Sequence, residues 1–424
     1  MRLIHTSDWH LGQHFYTKSR SAEHQAFLRW LIEQASAHQV DAIIVAGDIF
    51  DTGSPPSYAR ELYNRFVVEL QATGCQLVVL GGNHDSVATL NESRALLACL
   101  NTQVIASSAG DLQHQVLPLK QRDGSVGAIL CTVPYLRPRD IQTSLAGQSA
   151  AEKQNALQQA IAAHYQSLYD LAVAERDALG GNLPIIATGH LTTIGASTSD
   201  SVRDIYIGSL DAFPASAFPP ADYIALGHIH RPQRVTSSEH IRYSGSPIPL
   251  SFDELGSEKS ICLVDFSGAA LEKVTLLPVP QFQPMQLIKG SIEQIEQQLA
   301  AFKPTTADHS ESEKPVWLDI EISSSAYLND LQRRIQQQAE NLPVEVILLR
   351  RSKEQRLSAL TRQDKETLSE LSVSDVFERR LAQEETDDEA LIAQQSRIRN
   401  QFHQVLDELV LEQQQDETRE EHDA

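Results

Sequence analysis

Five apolar runs in this chain end in side chains that can bind a metal ion. The runs are RLIHTSD, VDAIIVAGD, CQLVVLGGN, LPIIATGH and DYIALGH, and the side chains at or just beyond their ends are Asp8, His10, Asp48, Asn83, His84, Asp85, His190, His228 and His230. Each group after the first is introduced by a glycine, which lets the backbone turn sharply. Because open α/β sheets gather ligands at the carboxyl ends of their strands, we expect these side chains to converge on one site.

The donors suit two metal ions better than one. Leaving His84 aside, the set has two carboxylates, one amide oxygen and four imidazoles, which two cations sharing a carboxylate would use naturally. Such mixed donors favour Mn²⁺, Fe or Zn²⁺ over Ca²⁺ or Mg²⁺ alone, and His228 and His230 would bind one metal each. A single histidine at a strand end is usually structural, and Asn83 also suits a turn. Five runs that all end this way favour the dimetal site.

The rest of the pattern predicts a layered α/β domain followed by two smaller parts. Short β-branched runs alternate with helical patterns over residues 21–38, 57–72 and 150–178. The proline-rich stretch LPVPQFQPMQ marks a boundary, and three further strands (MQLIKG, KPVWLDIEIS, PVEVILLRR) follow it, with a polar loop at 303–315. The predicted domains are 1–278, an α/β unit at 279–350, and a helical segment with an acidic tail at 351–424.

Composition narrows the setting without deciding the substrate. The net charge is −21, and the acidic tail beyond residue 384 carries about half of it, so the charge neither supports nor excludes a polyanionic substrate. The start of the chain does not resemble a signal peptide, and no apolar run approaches membrane-spanning length. The cysteines, which we expect to be reduced thiols of the core in a cytoplasmic protein, are Cys75, Cys99, Cys131 and Cys262.

The motifs D-x-H, GDIFD (47–51), GNHD (82–85), GH (189–190) and GHIH (227–230) resemble those of the calcineurin-like metallophosphoesterase superfamily. Flanking stretches such as HTSDWHLG, AGDIFDTGSPPSYAR, VRDIYIGSLDAFP, GSPIPLSFDE and TLSELSVSDVFERRL are similar to the bacterial DNA-nuclease branch of that superfamily. The resemblance implies a β-sandwich flanked by helices, a small α/β capping domain that selects the DNA form, and a helical C-terminal segment.

The resemblance also implies roles for the site residues. One metal would be bound by Asp8, His10, Asp48 and His230, the other by Asp48, Asn83, His190 and His228, with Asp48 bridging and His84 as the catalytic imidazole. Mn²⁺ is the expected ion, with Mg²⁺, Zn²⁺ or Fe as alternatives. Asp51 and Asp85 would either orient imidazole rings or cap loops.

Contacts to DNA and to partners are further expectations. Arg137, Arg139 and Arg231 lie on loops near the inferred site and could contact phosphate, although surface solvation explains each as well; the same two interpretations apply to the basic stretch 348–356. The stripe Tyr58, Leu62, Phe66 and Leu70 could be core, which its periodicity favours, or an interface. The family implies a homodimer formed in this region, and a coiled-coil ATPase that binds helices in residues 366–424.

The leading interpretation is a dimetal nuclease that works with this ATPase. It would act as an ATP-dependent exonuclease on duplex ends and as an endonuclease at hairpins, in DNA repair, recombination and replication. The alternative is a small-molecule phosphoesterase with the same metals, for which the second α/β unit and the helical tail would have no evident use. A non-catalytic scaffold is disfavoured by the complete set of ligands.

Overall fold

The structure, a computed structural model, describes most of the first 351 residues. The described residues are 1–141, 149–193, 212–302, 314–323 and 328–351, with Phe377, Leu381, Ile398, Arg399 and Phe402. Most of the predicted C-terminal helical segment, the stretch 202–211, the basic residues after 351 and most of the polar loop lie outside them.

Two six-stranded sheets form the N-terminal part of the fold. The first has, in spatial order, β14 (Ala270–Pro278), β13 (Ser260–Ser267), β1 (Arg2–Thr6), β4 (Ala42–Val45), β5 (Gln76–Leu80) and β6 (Thr102–Ile105). The second has β11 (Gln233–Arg234), β12 (Ile241–Tyr243), β10 (Tyr223–Gly227), β9 (Ile185–His190), β8 (Val126–Cys131) and β7 (Val116–Lys120). The central strands of each sheet are parallel, so their carboxyl ends lie at one edge.

Side chains that alternate along the central strands hold the layers together. In β4, Ala42 and Ile44 pack between the two sheets, whereas Ile43 and Val45 face the other way, into a core that includes helical residues. This alternation is what a strand buried on both faces requires, because successive side chains point to opposite sides of the sheet. The result is the β-sandwich flanked by helices that the sequence predicts.

The helices agree with the predicted patterns. They are α1 (Ser21–Ala37), α2 (Ser57–Leu70), α3 (Val87–Asn91), α4 (Arg94–Ala98), α5 (Pro138–Ile141) and α6 (Ala150–Ala178). A capping box between Ser149 and Glu152 begins α6. On α2, Leu62, Phe66 and Leu70 are buried, so the stripe on this helix belongs to the core.

A third sheet lies in the C-terminal half and has the order β15 (Met285–Gly290), β16 (Val316–Ile322), β17 (Val344–Arg351). Helices α7 (Ile292–Ala300) and α8 (Leu328–Ala339) follow β15 and β16 along the chain. The chain divides into two compact units, Met1–Ile288 with Gln298–Ile320 and Ala339–Leu349, and Lys289–Gln297 with Glu321–Gln338 and Arg350–Ala424. The domain limits predicted from sequence stay a prediction.

Smaller elements complete the described part. A hairpin joins β2 (His14–Phe15) to β3 (Lys18–Ser19), and short 3₁₀ helices span Gln71–Thr73, Leu112–Gln115, Ala215–Ala217 and Phe252–Gly256. Among the described helices, none has both the length and the apolar character needed to cross a bilayer.

Three expectations about local environment need correction. Cys99 is exposed, because the short helix α4 turns it outward, so only three of the cysteines are core thiols. β14 is an edge strand with many exposed side chains rather than a buried one. The sequence pattern also missed β6 and β7, which are short or lie at a sheet edge, where apolar residues are fewer.

Candidate metal centre

Strand ends from both sheets meet at one place. The first sheet supplies Asp8 after β1, Asp48 after β4 and Asn83 after β5. The second sheet supplies His190 at the end of β9 and His228 after β10. The sequence predicts this convergence, but it takes place across a sandwich rather than along the edge of one open sheet.

The donor atoms form three overlapping groups, in each of which all ligand atoms lie within 4.8 Å of one another. The groups are Asp8–His10–His230, His10–Asp48–His84 and Asp48–His190–His228. Asp48 lies between the other donors, with Oδ2 3.2 Å from His190 Nε2 and 3.6 Å from His10 Nε2. All the residues of these groups are buried except His84, which is partly exposed.

The hydrogen bonds of the imidazoles are those of a cation site. His10 Nδ1 donates to Asp51 Oδ1 (3.0 Å) and His190 Nδ1 donates to the carbonyl oxygen of Ala46 (2.9 Å), so each ring can present Nε2 unprotonated. His190 Nε2 then faces two acceptors, Asn83 Oδ1 at 2.8 Å and Asp48 Oδ2.

Two other ring nitrogens are buried without a hydrogen-bond partner, His10 Nε2 and His228 Nε2. Such groups are costly unless something binds them. Divalent cations between these nitrogens and oxygens would satisfy both, so the residues fit a metal centre.

The electrostatics of the site favour bound positive charge. Burial by itself would lower the pKa of His10 and of His190, but Asp51 and Asp48 raise the pKa of His10 to about 9, and Asp48 raises that of His190 to about 9. Burial opposes ionisation of Asp48, but the neighbouring His190, His84 and His10 hold its pKa well below the usual range. Burial and then His190 keep the pKa of His228 well below its ordinary value. A cation that binds here replaces protons that the metal-free cluster attracts.

The backbone at these strand ends adopts the left-handed conformation. Four of the proposed ligands have positive φ angles, Asp8 (54°), His10 (46°), Asp48 (51°) and His228 (92°). The conformation is fixed by nearby bonds, because His10 N donates to the carbonyl oxygen of Asp48 (3.1 Å) and His228 N donates to Asp8 Oδ1 (2.9 Å). Strained residues of this kind cluster at functional sites.

The residues around the ligands differ in part from expectation. Asp51 bonds an imidazole, as one of the two predicted alternatives has it. Asp85 does not: its carboxylate accepts from the backbone N–H groups of Ile49 (3.1 Å), Phe50 (3.0 Å) and Gly82 (2.8 Å), and so caps the loops that carry Asp48 and Asn83. Burial and the charge of Asp48 raise the pKa of Asp85 to about 6.

One residue with a clear role was missed. Glu254 Oε1 lies 3.1 Å from His230 Nδ1, and both side chains are buried. Burial by itself would raise the pKa of Glu254, but the hydrogen bonds and charges of His230 and Lys259 lower it. The position of this residue within GSPIPLSFDE was visible in the sequence, but no spacing linked it to His230.

The three arginines have different environments. Arg137 Nη2 donates to the carbonyl oxygen of Asp85 (3.1 Å), its guanidinium lies over the ring of Tyr135, and its Nη1 is buried without a partner. Arg139 is largely exposed beside Asp140, and Arg231 is exposed. The structure therefore brings only Arg137 to the loops of the site.

Comparison with known families gives two matches. The calcineurin-like phosphoesterase family model matches residues 1–232. A second family model, described as Type 5 capsule protein repressor C-terminal domain, matches residues 281–385.

Three curated relatives carry one name, that of the D subunit of the nuclease SbcCD. The chain is 61% identical over 408 residues to this protein of Escherichia coli K12, covering 96% of this chain and 98% of that protein. Proteins of the same name from Rhodobacter capsulatus (38%, 66% of this chain and 70% of that protein) and Bacillus subtilis (31%, 62% and 66%) are also similar.

Among solved structures, TT1561 of Thermus thermophilus and a dimetal phosphatase of Danio rerio each align at 12% identity. Each covers 66% of this chain and 99% of the other, with a TM-score of 0.36. The family assignment rests on the sequence matches.

Proposed function

The chain belongs to the calcineurin-like phosphoesterase family, and from this membership we propose that it is the nuclease subunit of an SbcCD-type complex. In this proposal it is a metal-dependent hydrolase that cuts DNA phosphodiester bonds. The proposed ligands of one cation are Asp8, His10, Asp48 and His230, and those of the other are Asp48, Asn83, His190 and His228.

The position of Asp48 carries the proposal. Its carboxylate lies between two sets of imidazole and oxygen donors, with His10 Nε2 and His190 Nε2 both near Oδ2. A carboxylate in this position can bridge two cations, each with further donors of its own. No other group of the described residues combines so many buried metal donors.

Two divalent cations, when bound, supply an activated water nucleophile and neutralise phosphate oxygens. The chain itself supplies the proton transfer. His84 Nδ1 lies 2.6 Å from the carbonyl oxygen of Asp51, which can only accept a hydrogen bond. Nδ1 is therefore the donor, and Nε2 is the ring atom that can pass a proton to the leaving sugar oxygen. Asp51 thus fixes His84 through its backbone and His10 through its side chain.

The finer features of the proposal come from the resemblance. Mn²⁺ is the expected ion, and the substrates are duplex ends, cut in an ATP-dependent manner, and hairpins. The partner is an SbcC-type coiled-coil ATPase in the cytoplasm, bound by the segment after residue 351, while residues 279–350 select the DNA form. A homodimer would cover Val68 on α2 and Leu96 on α4, which are 57% and 65% exposed.

The experiment compares substrates directly. Full-length wild type and Asp48→Ala are incubated with Mn²⁺ and a labelled hairpin duplex or p-nitrophenyl phosphate esters, with and without the ATPase and ATP. We expect Mn²⁺-dependent cleavage of the hairpin by wild type and its loss in Asp48→Ala, together with weaker binding of both metal equivalents. Asp123→Ala, which removes an exposed carboxylate, should behave as wild type.

Two results would contradict the proposal. Hydrolysis of the p-nitrophenyl esters without DNA cleavage, even with the ATPase present, would indicate a small-molecule phosphoesterase. An Asp48→Ala protein that keeps one metal equivalent at normal affinity would refute the bridging role.

A further inference from the structure

A buried ion pair lies directly behind His230. The carboxylate of Glu254, on the 3₁₀ helix Phe252–Gly256, is 4% exposed as a residue, and Lys259 is 6% exposed. Lys259 Nζ lies 2.6 Å from Glu254 Oε2. Isolated from water, such a pair contributes little net stability, because both charges lose their hydration. Its presence beside a metal donor calls for another explanation.

The two oxygens of Glu254 have separate partners. Oε1 accepts from His230 Nδ1 at 3.1 Å. Oε2 accepts from Lys259 Nζ, from the backbone N–H of Leu250 (3.0 Å) and from Ser246 Oγ (3.3 Å). The carboxylate is therefore held from one side and faces the imidazole with the other.

Lys259 holds the same group at a second point. Its Nζ also donates to the carbonyl oxygen of His230 (2.9 Å) and to Ser246 Oγ (2.7 Å). The backbone and the ring of His230 are thus both tied to one buried network, which fixes where the ring can point.

We propose that Glu254, held in place by Lys259, is a positioning residue for His230. By accepting the proton of Nδ1 it selects the tautomer with an unprotonated Nε2 and turns that nitrogen toward the donors of Asp8 and His10. A carboxylate behind a metal-binding imidazole also raises the basicity of the ring, and removing such a partner typically costs about 10–100-fold in metal affinity. The inference rests on the proposed metal centre.

The effect should be confined to one of the two cations. His190 is oriented by the backbone carbonyl oxygen of Ala46, not by the Glu254 network. A change at Glu254 should therefore weaken the metal equivalent held with Asp8, His10 and His230 and leave the other equivalent unchanged.

The test measures Mn²⁺ binding by calorimetry on the full chain, with thermal unfolding of the metal-free protein as the check on folding. Because a single change would leave a buried charge unpaired, the main variant is the pair Glu254→Met with Lys259→Met, which removes both charges at similar volume. We expect it to fold and to bind one Mn²⁺ equivalent about 10–100-fold more weakly than wild type.

A conservative pair separates positioning from general support. Glu254→Gln with Lys259→Met keeps an oxygen that can accept from Nδ1, so it should recover much of the affinity that the Met pair loses. Should the Met pair not fold, Glu254→Gln alone carries the test, with a smaller weakening of the same equivalent expected. Asp253→Asn, on the same short helix but exposed, is the matched control and should bind both equivalents normally.

The outcomes distinguish this inference from the proposed function. Wild type that binds fewer than two Mn²⁺ equivalents would overturn the metal centre and this inference with it. Wild type with two equivalents, and folded variants at Glu254 that bind both at wild-type affinity, would overturn the positioning role alone.

Discussion

At the scale of single residues, the ligands adopt their unusual backbone without a metal. Positive φ angles at Asp8, Asp48 and His228 each cost on the order of 1–3 kcal/mol, yet the hydrogen bonds between these loops and the burial of their side chains hold them. The donors are therefore pre-organised, and a cation that enters the site need not reorder the loops.

His84 provides the first prediction at this scale. Replacing His84 with Gln should leave two Mn²⁺ equivalents bound, while turnover on a labelled hairpin falls by about 10²–10⁴, the usual contribution of a general acid. Metal content and single-turnover cleavage are measured on the same preparation. His114→Gln, at an exposed histidine, serves as the control.

The position of His84 makes a different result informative. Its ring lies within the same donor group as His10 and Asp48. If the variant loses metal together with activity, His84 is a ligand and its assignment as the catalytic imidazole is wrong.

His5 gives a prediction about pH. The ring is fully buried, Nδ1 contacts Tyr223 Oη (3.0 Å) and Nε2 donates to the carbonyl oxygen of Leu226 (3.1 Å). Burial lowers the pKa of His5 from 6.5 to about 3. Between these pH values the unfolded chain binds a proton that the folded chain does not. The stability due to neutral His5 is therefore complete above pH 6.5 and is lost as the pH falls toward 3.

The measurement is urea unfolding of wild type and His5→Gln. The variant should be less stable at pH 7, and the difference between the two proteins should shrink by up to about 2 kcal/mol between about pH 6.5 and pH 5, at ~1.4 kcal/mol per pH unit. The ligand histidines are present in both proteins and cancel in the comparison. A difference that stays constant over this range would contradict the prediction.

At the scale of elements, the site depends on how closely two strand ends approach. A Cβ placed on Gly227, at the end of β10, would lie 2.0 Å from the carbonyl oxygen of Ala46, which follows β4. The two sheets thus touch through backbone at this point, and only glycine permits that distance. His190 is bonded to the same carbonyl oxygen, so strand contact and ligand position are coupled.

Gly227→Ala should therefore disturb both metals. The added methyl must push β10 away from β4, and His228 moves with it. We expect weaker binding of both Mn²⁺ equivalents and a loss of at least about 1–3 kcal/mol in the free energy of unfolding. Gly256→Ala is the control, since its added Cβ would meet no atom within 4 Å. Normal metal binding by Gly227→Ala would show that the two sheets can separate here without moving the ligands.

At the scale of the whole molecule, charge does not explain affinity for DNA. A net charge of −21 repels a polyanion, so attraction must come from local features such as bound cations and Arg137, or from the partner. The acidic tail then suits contact with a basic protein surface better than contact with DNA.

Truncation tests the proposed division of labour. Deleting residues 366–424 should leave two Mn²⁺ equivalents bound, because every proposed ligand lies before residue 231, but should abolish co-purification with the ATPase. Metal titration and affinity capture are run on the same protein. Unchanged association would place the partner-binding surface elsewhere, and loss of metal would show that the C-terminal segment supports the centre.

The sequence by itself determined the strands, the long helices and the kinds of ligand, because periodicity and strand-end chemistry are local properties. It also carried the family, through motifs whose order survives in the linear text. Only the tertiary structure decided that Asp51 faces an imidazole while Asp85 caps loops, since both follow the same kind of strand end. It alone revealed Glu254 behind His230 and the exposure of Cys99. Such pairings depend on loop paths and on the contact between two sheets, and no short-range pattern encodes either.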